Sequence, residues 1–295
     1  MTTANKKHLF IFGPGYTAGF IGRRAIREGW RVSASYRDAA KAAALEVHGF
    51  IPFALEDPGL KTALSSASHL LTSVAPGPKG DPILPLIKSC ADQLEDLEWL
   101  GYLSSTNIYG DRGGDWVDED TPPAPNLNRG IRRLSAEEDW QDIAGMMRVP
   151  LHIFRLAGIY GPGRNAVRTV LDGRARRIFK QGQLFSRIHV QDIEDAVWRA
   201  MTSGKASQIF NLADDMPAPP QDIIEKAALR LGAPVPPLIP IEKADLSPMA
   251  RSFYQESKRV KNSRVKHELG FTFRYPTFDS ALEDLVAFEL GDKKP

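Results

Sequence analysis

The feature of this chain that most constrains its fold is a glycine-containing turn between an apolar segment and an amphipathic one. His8–Phe12 is a compact apolar run, typical of a strand that is buried on both faces of a parallel sheet. The turn that follows, Gly13-Pro14-Gly15-Tyr16-Thr17-Ala18, opens a segment whose apolar residues recur at helical spacing. Gly13 permits a tight turn, Gly15 lets backbone amides approach a pyrophosphate, and Ala18 keeps the helix close to the strand. We therefore predict a dinucleotide-binding site that includes Gly13, Gly15, Tyr16 and Thr17.

Strand-like and helix-like segments continue to alternate through the first half of the chain. Further strands are predicted at residues 31–36, 50–55, 69–74, 99–104 and 151–156. Helices are predicted at 38–47, where Asp38 is the expected N-cap, at 83–94 and from about 133 to 147. This alternation predicts an α/β fold, with a Rossmann-type doubly wound parallel sheet.

The second half of the chain differs, because prolines cluster between Pro217 and Pro240 and prevent long uninterrupted elements there. Amphipathic helices are predicted at 221–231 and 280–290, and one more sheet strand at 207–212. These elements predict a smaller C-terminal substrate lobe. The predicted dinucleotide-binding Rossmann domain comprises residues 1–165 and also about 187–213, and the substrate lobe comprises 166–186 and 214–295.

Composition and charge exclude several classes of protein. The 295 residues are 42% hydrophobic and 25% charged, which is ordinary for a globular protein, and the formal net charge is only +2. We therefore expect a small-molecule substrate and neither nucleic acid nor membrane as a partner. No apolar signal segment and no stretch long enough to span a bilayer is present, and Cys90 is the one cysteine. These features predict a reducing, cytoplasmic setting.

One stretch of the chain is strongly basic. Its cations are Arg164, Arg168, Arg174, Arg176, Arg177 and Lys180. Such a run is typical of a solvated face; the alternatives are a rim that binds a phosphate of the substrate or of a cofactor and, last, a contact with nucleic acid.

The end of the second predicted strand bears on which nicotinamide dinucleotide the site takes. A site selective for NAD usually has an acidic residue about 20 residues beyond the glycines, where it accepts the ribose 2′-hydroxyl. Here the strand ends Ser33-Ala34-Ser35-Tyr36-Arg37, and a cation at Arg37 suits a 2′-phosphate that an acid would repel. We therefore predict NADP as the cofactor. NAD is the alternative, because Asp38 could accept the ribose hydroxyl.

Several later segments resemble the motifs of one protein family. They are Leu103-Ser104-Ser105-Thr106-Asn107-Ile108-Tyr109-Gly110, Val117-Asp118-Glu119-Asp120-Thr121-Pro122-Pro123, Arg155-Leu156-Ala157-Gly158-Ile159-Tyr160-Gly161-Pro162-Gly163-Arg164 and Arg187-Ile188-His189-Val190-Gln191-Asp192-Ile193. Together with a late helix at 262–269, they resemble the extended short-chain dehydrogenase/reductases, the NAD-dependent epimerase/dehydratase group. The resemblance covers nearly the whole chain and implies a Rossmann-type fold with a nicotinamide cofactor, but no particular substrate.

The resemblance also implies roles for particular residues. In the extended family a serine or threonine four residues before a Tyr-Gly pair polarises the substrate oxygen, and here that residue is Ser105. The loop after the sixth strand, which includes Ala157 and Ile159, is expected beside the nicotinamide. The other predicted cofactor-binding residues are Arg37, Asp57, Ala75, Pro76 and Arg133. Family members often dimerise through helices that correspond to 83–94 and 133–147, so the resemblance implies a homodimer.

The chain departs from the family at its proton-transfer pair. The family's Tyr-x-x-x-Lys precedes Leu-x-x-Glu, which is present here as Leu134-Ser135-Ala136-Glu137. Counting back places Arg133 at the lysine position and Arg129 at the tyrosine position. A guanidinium has a pKa above roughly 12 and cannot exchange a proton near neutral pH. The catalytic candidates that remain are Ser105 and Tyr109.

Two further side chains, Tyr160 and His189, flank the expected cleft. Packing is the more typical role for such a tyrosine and a structural role for such a histidine, with proton transfer and substrate contact as the respective alternatives. No His/Asp/Glu cluster has metal-ligand spacing, and no Gly-x-Ser-x-Gly nucleophile elbow occurs.

Two functions are therefore open. The first is an NAD(P)-binding oxidoreductase or epimerase/dehydratase-like enzyme that acts on a small polar or sugar-like substrate without the usual Tyr-x-x-x-Lys pair. The second is a non-catalytic NADP-binding sensor or regulatory protein. The pair Arg129 and Arg133 favours the sensor, whereas an intact Ser105 and a complete second lobe favour the enzyme.

Overall fold

The structure is a computed structural model that describes residues 7–291. Its strands are β1 (His8–Phe12), β2 (Arg31–Tyr36), β3 (Ile51–Ala54), β4 (His69–Thr72), β5 (Trp99–Ser105), β6 (Trp116–Val117), β7 (Leu151–Leu156), β8 (Gly158–Tyr160), β9 (Arg177–Phe179), β10 (Arg187–His189), β11 (Gln208–Leu212), β12 (Leu238–Pro240) and β13 (Arg259–Val260). Its α-helices are α1 (Tyr16–Arg27), α2 (Ala40–Val47), α3 (Leu60–Ser65), α4 (Leu84–Cys90), α5 (Asn128–Met147), α6 (Ala166–Leu171), α7 (Val190–Thr202), α8 (Pro220–Arg230), α9 (Pro248–Phe253), α10 (Ser263–Leu269) and α11 (Phe278–Glu289).

Seven strands form the main sheet, in the order β11-β7-β5-β4-β1-β2-β3. The pairs β1–β2, β1–β4, β2–β3 and β4–β5 are parallel. The chain runs outward from β1 through β2 to β3 and then returns to β4 on the other side of β1. The order therefore reverses between β1 and β4, which is the switch point at which doubly wound sheets bind ligands. This architecture confirms the predicted α/β, Rossmann-type fold.

The chain divides into two compact units. The first contains the described residues up to Ile108, together with Leu127–Arg155 and Ile193–Phe210. The second contains Tyr109–Asn126, Leu156–Asp192 and the described residues from Asn211 onward. The domain limits predicted from the sequence stay a prediction. Among residues 7–291, no helix has both the length and the apolar character needed to cross a membrane.

Several helix ends differ from the predicted ones. Helix α5 begins at Asn128 rather than near residue 133, so Arg129 and Arg133 lie one turn apart on the same helix. Helix α2 begins at Ala40 with Ala39 as N-cap, although the Asp38 carboxylate still accepts a hydrogen bond from the Ala40 amide at 3.0 Å. Capping groups can satisfy a first turn from more than one position, so helix ends are set by local geometry as well as by residue type.

A series of aromatic and histidine rings lies inside the first unit. Ring centroids are 4.6 Å apart for Trp30 and His69, 6.1 Å for His69 and Trp99, and 6.0 Å for Trp99 and His152. The Trp99 indole donates to Nδ1 of His152 at 2.7 Å, so that nitrogen must be unprotonated. Nε2 then carries the proton and donates to the Ala206 carbonyl at 2.9 Å. The arrangement therefore requires a neutral His152.

Burial also disfavours the charged form of these histidines. It lowers the pKa of His69 to about 4 and lowers the pKa of His152, in both cases because the imidazolium would lose its hydration. The unfolded chain, whose histidines have a pKa near 6.5, therefore binds protons that the folded chain excludes. Between these two values the free energy of unfolding rises with pH.

We expect the contribution of His69 and His152 to the free energy of unfolding to be fully present above about pH 6.5 and to fall as the pH drops toward about 4. The reason is that these histidines bind protons in the unfolded chain at a higher pH than in the folded chain. Urea titrations followed by tryptophan fluorescence at several pH values measure this slope. The variant His69→Gln should show a shallower slope, whereas His48→Gln, at an exposed position, should match wild type. Equal slopes for both variants would contradict the assignment.

Candidate functional site

The glycine turn after β1 has the geometry of a phosphate-binding turn. Gly13 has a φ of +70°, and a Cβ there would lie 3.0 Å from Cγ2 of Val74, so a larger residue is excluded by both conformation and space. A Cβ on Gly15 would have nothing but the Gly13 carbonyl oxygen within 4 Å, at 3.9 Å. The turn is therefore tight on its protein side and open above Gly15, where a ligand can approach the backbone.

Helix α1 starts at this turn without a side-chain cap. Its N-cap is Gly15, which has no side chain to accept from the first-turn amides, and the first turn contains no acidic residue. Thr17 is buried, and Tyr16 is half-buried with its ring 5.3 Å from that of Phe20. Exposed amides and the helix dipole together favour an anion at such an end. The turn thus fits the pyrophosphate of a dinucleotide.

A residue that the sequence analysis missed, Gly22, allows α1 to pack close to the sheet. A Cβ on Gly22 would lie 2.3 Å from Cε1 of Phe50 and 2.9 Å from Cδ1 of Ile11 in β1. Ala18, for which the sequence predicts this close packing, is also fully buried. A glycine one turn beyond Ala18 on the same helix face was the signal that could have identified Gly22.

The end of β2 carries the residue on which the choice of cofactor depends. Arg37 follows β2 directly, is exposed, and makes no hydrogen bond or ion pair with the described residues. The carboxylate of the neighbouring Asp38 accepts a hydrogen bond from the Ala40 amide. The guanidinium is therefore accessible to an anion, while the carboxylate already has a hydrogen-bond donor.

Three other predicted cofactor residues follow β3 and β4. Asp57 lies in the turn after β3 and accepts from the Gly59 amide at 2.7 Å, where α3 begins. Ala75 is exposed and Pro76 half-buried, and both come directly after β4 in the chain. Because β4 lies beside β1, its loop emerges at the sheet edge that also carries the glycine turn.

Ser105, the predicted polarising residue, is the last residue of β5. Its side chain is half-buried, and its oxygen accepts from the Asn107 amide at 3.2 Å. Its hydroxyl donates a hydrogen bond to none of the described residues. The group can therefore donate to a substrate oxygen, as a residue that polarises a carbonyl must.

The two arginines of α5 were predicted to occupy the family's tyrosine and lysine positions. Nη1 of Arg133 donates to the carbonyl oxygens of Val74 at 3.2 Å and Leu103 at 3.0 Å, and to the Tyr102 hydroxyl at 2.9 Å. Arg133 thus binds the chain where β4 and β5 end, next to the glycine turn that contacts Val74. Arg129 is half-buried one turn earlier on the same helix.

The Leu-x-x-Glu motif on α5 ends in a buried ion pair. Glu137 is 2% exposed and Arg155, in β7, is 4% exposed, and the guanidinium Nη2 lies 2.9 Å from the carboxylate Oε2. The Ser104 hydroxyl in β5 donates to the same carboxylate at 2.5 Å. The three residues join α5 to two strands of the sheet. Glu137 and Arg155 were recognised in the sequence as family motifs, but their pairing was not.

The predicted site residues Tyr109, Ala157 and Ile159 lie in the second unit. Tyr109 is fully buried, and its hydroxyl donates to Oδ1 of Asn211 at 2.8 Å. Ala157 is buried, with its amide donating to the Leu212 carbonyl at 3.0 Å. Ile159 is half-buried in β8, where it pairs with Ile188 of β10.

Tyr160 and His189 lie in the packed interior of the second unit. The Tyr160 ring is 5.2 Å from the His189 ring, and the His189 ring is 4.1 Å from that of Tyr275. Burial raises the pKa of Tyr160 and lowers that of His189 to about 4, so both are held neutral. These contacts favour packing roles for both residues.

Most cations of the basic run already have protein partners. Arg168 and Arg174 both pair with Asp172, and Arg177 pairs with Glu225. Arg176 donates to the Asp245 carbonyl and Lys180 to the Tyr254 carbonyl. Five of the six cations therefore already have hydrogen-bond or ion-pair partners within the protein, which favours the solvated face over a phosphate rim. Among residues 7–291, no group of three His, Cys, Asp or Glu side chains could hold a metal ion.

Comparison with known proteins identifies the family. Residues 84–213 match the NAD dependent epimerase/dehydratase family. A functionally unknown conserved protein from Silicibacter pomeroyi DSS has a similar structure, with a TM-score of 0.89 and 44% identity, over 96% of this chain and 99% of that chain. Residues 84–213 thus belong to the NAD-dependent epimerase/dehydratase family, and the chain has the Rossmann-type fold of that family's structures.

Two further relatives extend the comparison. Protein YeeZ of Escherichia coli K12 is 26% identical over 283 residues, which are 92% of this chain and 97% of YeeZ. UDP-glucuronic acid 4-epimerase from Bacillus cereus, solved in complex with NAD, has the same fold with a TM-score of 0.74 at 14% identity, over 96% of this chain and 99% of that chain.

The buried pair Glu137–Arg155 gives a test of what holds α5 in place. Glu137→Gln should lower the free energy of unfolding by about 3–5 kcal/mol, because it removes the carboxylate charge that pairs with the buried Arg155 guanidinium. Chemical denaturation measures the change. The double variant Glu137→Gln, Arg155→Met is the control, since it removes both charges and keeps an acceptor for Ser104. A double variant no more stable than the single one would contradict the argument.

Proposed function

We propose that the protein is an NAD(P)-dependent oxidoreductase or epimerase/dehydratase-like enzyme that acts on a small polar or sugar-like substrate without a Tyr-x-x-x-Lys pair. The observation that carries this proposal is the carboxyl edge of β1, β4 and β5. There the uncapped glycine start of α1 follows β1, and the Ser105 hydroxyl, which has a proton to donate, ends β5. The two strands lie on either side of β4 in the same sheet. A dinucleotide site and a group that polarises an oxygen are the two parts that such chemistry requires.

The described residues fit a nicotinamide dinucleotide. A bound cofactor of this class supplies hydride transfer. The amides of the first turn of α1 would hold its pyrophosphate, because Gly15 is open on one side and provides no side-chain cap for them. The Gly15 amide donates to the Gly13 carbonyl at 2.7 Å and the Gly13 amide to the Ser35 hydroxyl at 3.5 Å, so these two glycines would contribute close approach to the ligand. Tyr16 and Thr17 follow in that first turn. The contacts predicted at Asp57, Ala75, Pro76, Ala157 and Ile159 stay predictions.

Ser105 is the residue to which we assign the substrate oxygen. Its hydroxyl can donate to a carbonyl or developing alkoxide, since its own oxygen is already fixed by the Asn107 amide. Arg133 supports this edge of the sheet through the Val74 and Leu103 carbonyls, and its Nε and Nη2 groups donate to none of the described residues. Those groups could donate to a cofactor hydroxyl, as the family's lysine does by resemblance.

Proton transfer must differ from that of the family. A guanidinium is a hydrogen-bond donor without an acceptor, so neither Arg129 nor Arg133 has the chemistry of the family's tyrosine. Tyr109 has the right chemistry, but its hydroxyl donates to Asn211 and its ring is fully buried. We therefore place Ser105 first and Tyr109 second among the groups on which turnover depends. The non-catalytic sensor finds no support among the relatives.

Turnover should depend on Ser105. We expect Ser105→Ala to lower kcat by about 10²-fold or more, the usual cost of removing a preorganised donor to a reacting oxygen. The measurement is NADPH oxidation over a panel of carbonyl and sugar-nucleotide substrates, with Ser89→Ala at an exposed helix position as the matched control. Tyr109→Phe and Arg129→Ala complete the set. An activity abolished by Arg129→Ala alone would overturn this assignment, and tight NADPH binding without turnover would favour the sensor.

The cofactor should be NADP(H) rather than NAD(H). A charge-assisted contact between Arg37 and a 2′-phosphate is worth about 1.5–3 kcal/mol, so discrimination should be roughly tenfold or more. Calorimetric titration of both cofactors against wild type and Arg37→Ala measures it. Arg31→Ala, at the opposite end of the same strand, is the control and should leave the preference unchanged. Equal affinities in wild type would show that Arg37 is an ordinary surface residue.

A further inference from the structure

Arg187 of the second unit lies against the loop that the sequence predicts beside the nicotinamide. It opens β10 and pairs in register with Gly158 of β8, which lies between Ala157 and Ile159. A Cβ on Gly158 would be 3.8 Å from Cγ of Arg187, and Gly158 itself is exposed. The stem of the arginine therefore lies over an exposed backbone position of that loop.

The guanidinium of Arg187 is held in place through one nitrogen. Nη1 donates to the carbonyl oxygens of Phe185 at 2.9 Å and Ala218 at 3.0 Å. Those two residues also bond to each other through both backbone amides, at 3.1 Å each, so the anchor is rigid. Nε and Nη2 donate to none of the described residues. One edge of a fixed guanidinium thus stays available.

No acidic side chain neutralises this cation among the described residues, where Arg187 forms no ion pair within 4.0 Å. The acidic side chains that act on it electrostatically are Asp214 and, less strongly, Asp222, and the Asp214 backbone amide donates to the Arg187 carbonyl at 2.6 Å. Asp214 is 2% exposed; its Oδ1 accepts from the Met216 amide at 3.3 Å, and its Oδ2 has no hydrogen-bond partner. Burial raises the pKa of Asp214 to about 7, so near neutral pH much of this carboxyl is uncharged.

A half-buried cation without a fixed counter-charge is costly unless a ligand supplies the anion. The free edge of a guanidinium matches the two oxygens of a carboxylate or a phosphate, which makes arginine the side chain suited to planar, two-point recognition of such groups. Burial also lowers the pKa of Arg187, the direction expected for a desolvated cation whose charge an anion would stabilise.

Two aromatic rings lie near the Arg187 guanidinium. The Arg187 guanidinium is 6.0 Å from the Phe185 ring, and the Phe185 and Tyr254 rings are 5.5 Å apart. Both rings are half-buried and can pack against a planar group of a ligand. Lys180, whose ammonium donates to the Tyr254 carbonyl, adds a second cation that forms no ion pair with the described residues.

We propose that Arg187 is a specificity-determining residue that binds an oxyanion, a carboxylate or a phosphate, on the substrate. This inference deepens the proposed function, since it names the charge of the substrate for the same enzyme. It rests on the proposed function only in calling the bound anion a substrate, because binding of the anion at Arg187 can be measured without turnover.

The test uses three aromatic aldehydes that differ in one group: 4-formylbenzoate, 4-formylphenyl phosphate and the uncharged methyl 4-formylbenzoate. Calorimetry against wild type should show at least one anion binding roughly tenfold or more tightly than the ester, and the better anion identifies carboxylate or phosphate as the group. Arg187→Gln should remove that difference, and Arg187→Lys should keep part of it. Asp214→Asn should keep the affinity or increase it, because it removes a potential competitor for the guanidinium.

Arg176→Gln is the matched control, since it removes one exposed positive charge from the same unit and should leave anion binding unchanged. Equal binding of anions and ester to wild type, or anion binding that survives Arg187→Gln, overturns the proposal. NADPH oxidation with the same aldehydes is scored separately. Anion binding lost with Arg187→Gln but without aldehyde reduction refutes the proposed function alone, whereas reduction of anion and ester with equal KM refutes the inference alone.

Discussion

The close approach of α1 to β1 is the constraint on which the first unit depends. At Gly22 a single added carbon would lie 2.3 Å from the Phe50 ring and 2.9 Å from Ile11, distances that non-bonded atoms do not adopt. At Gly13 the backbone turns with a φ of +70° while Val74 lies against it. Because helix and strand meet so closely, the amino end of α1 is fixed at the sheet edge, with its amides directed to the place where an anion can bind.

The same edge is stabilised from the other side by α5. The Glu137 carboxylate joins this helix to Arg155 in β7 and Ser104 in β5, and Arg133 holds the ends of β4 and β5. A buried pair of this kind contributes little net stability but strongly penalises any arrangement that separates its members. It therefore fixes the position of α5, and with it the positions of Arg129 and Arg133, whatever those residues do in the reaction.

Two arginines of this protein, Arg37 and Arg187, form no ion pair with the described residues. The sequence also predicts arginines at both positions of the family's proton-transfer pair. Most cations of the basic run are paired with Asp172, Glu225 or backbone carbonyls, so a positive charge alone does not identify an anion-binding residue. What matters is which guanidinium edges stay free, since those can bind phosphate or carboxylate.

Local sequence patterns were enough to predict the class of fold and the glycine turn, because alternating periodicities and the strand–glycine–helix order are properties of neighbouring residues. Spacing from Leu134-x-x-Glu137 also predicts arginines at the family's tyrosine and lysine positions, and this stays a prediction. The roles assigned to individual site residues stay predictions. Only the tertiary structure showed that Gly22 faces Phe50, that Glu137 pairs with Arg155, and that Arg187 lacks an acidic partner. Such contacts join residues that are distant in sequence, so they are decided by how strands and helices pack, which no local pattern encodes.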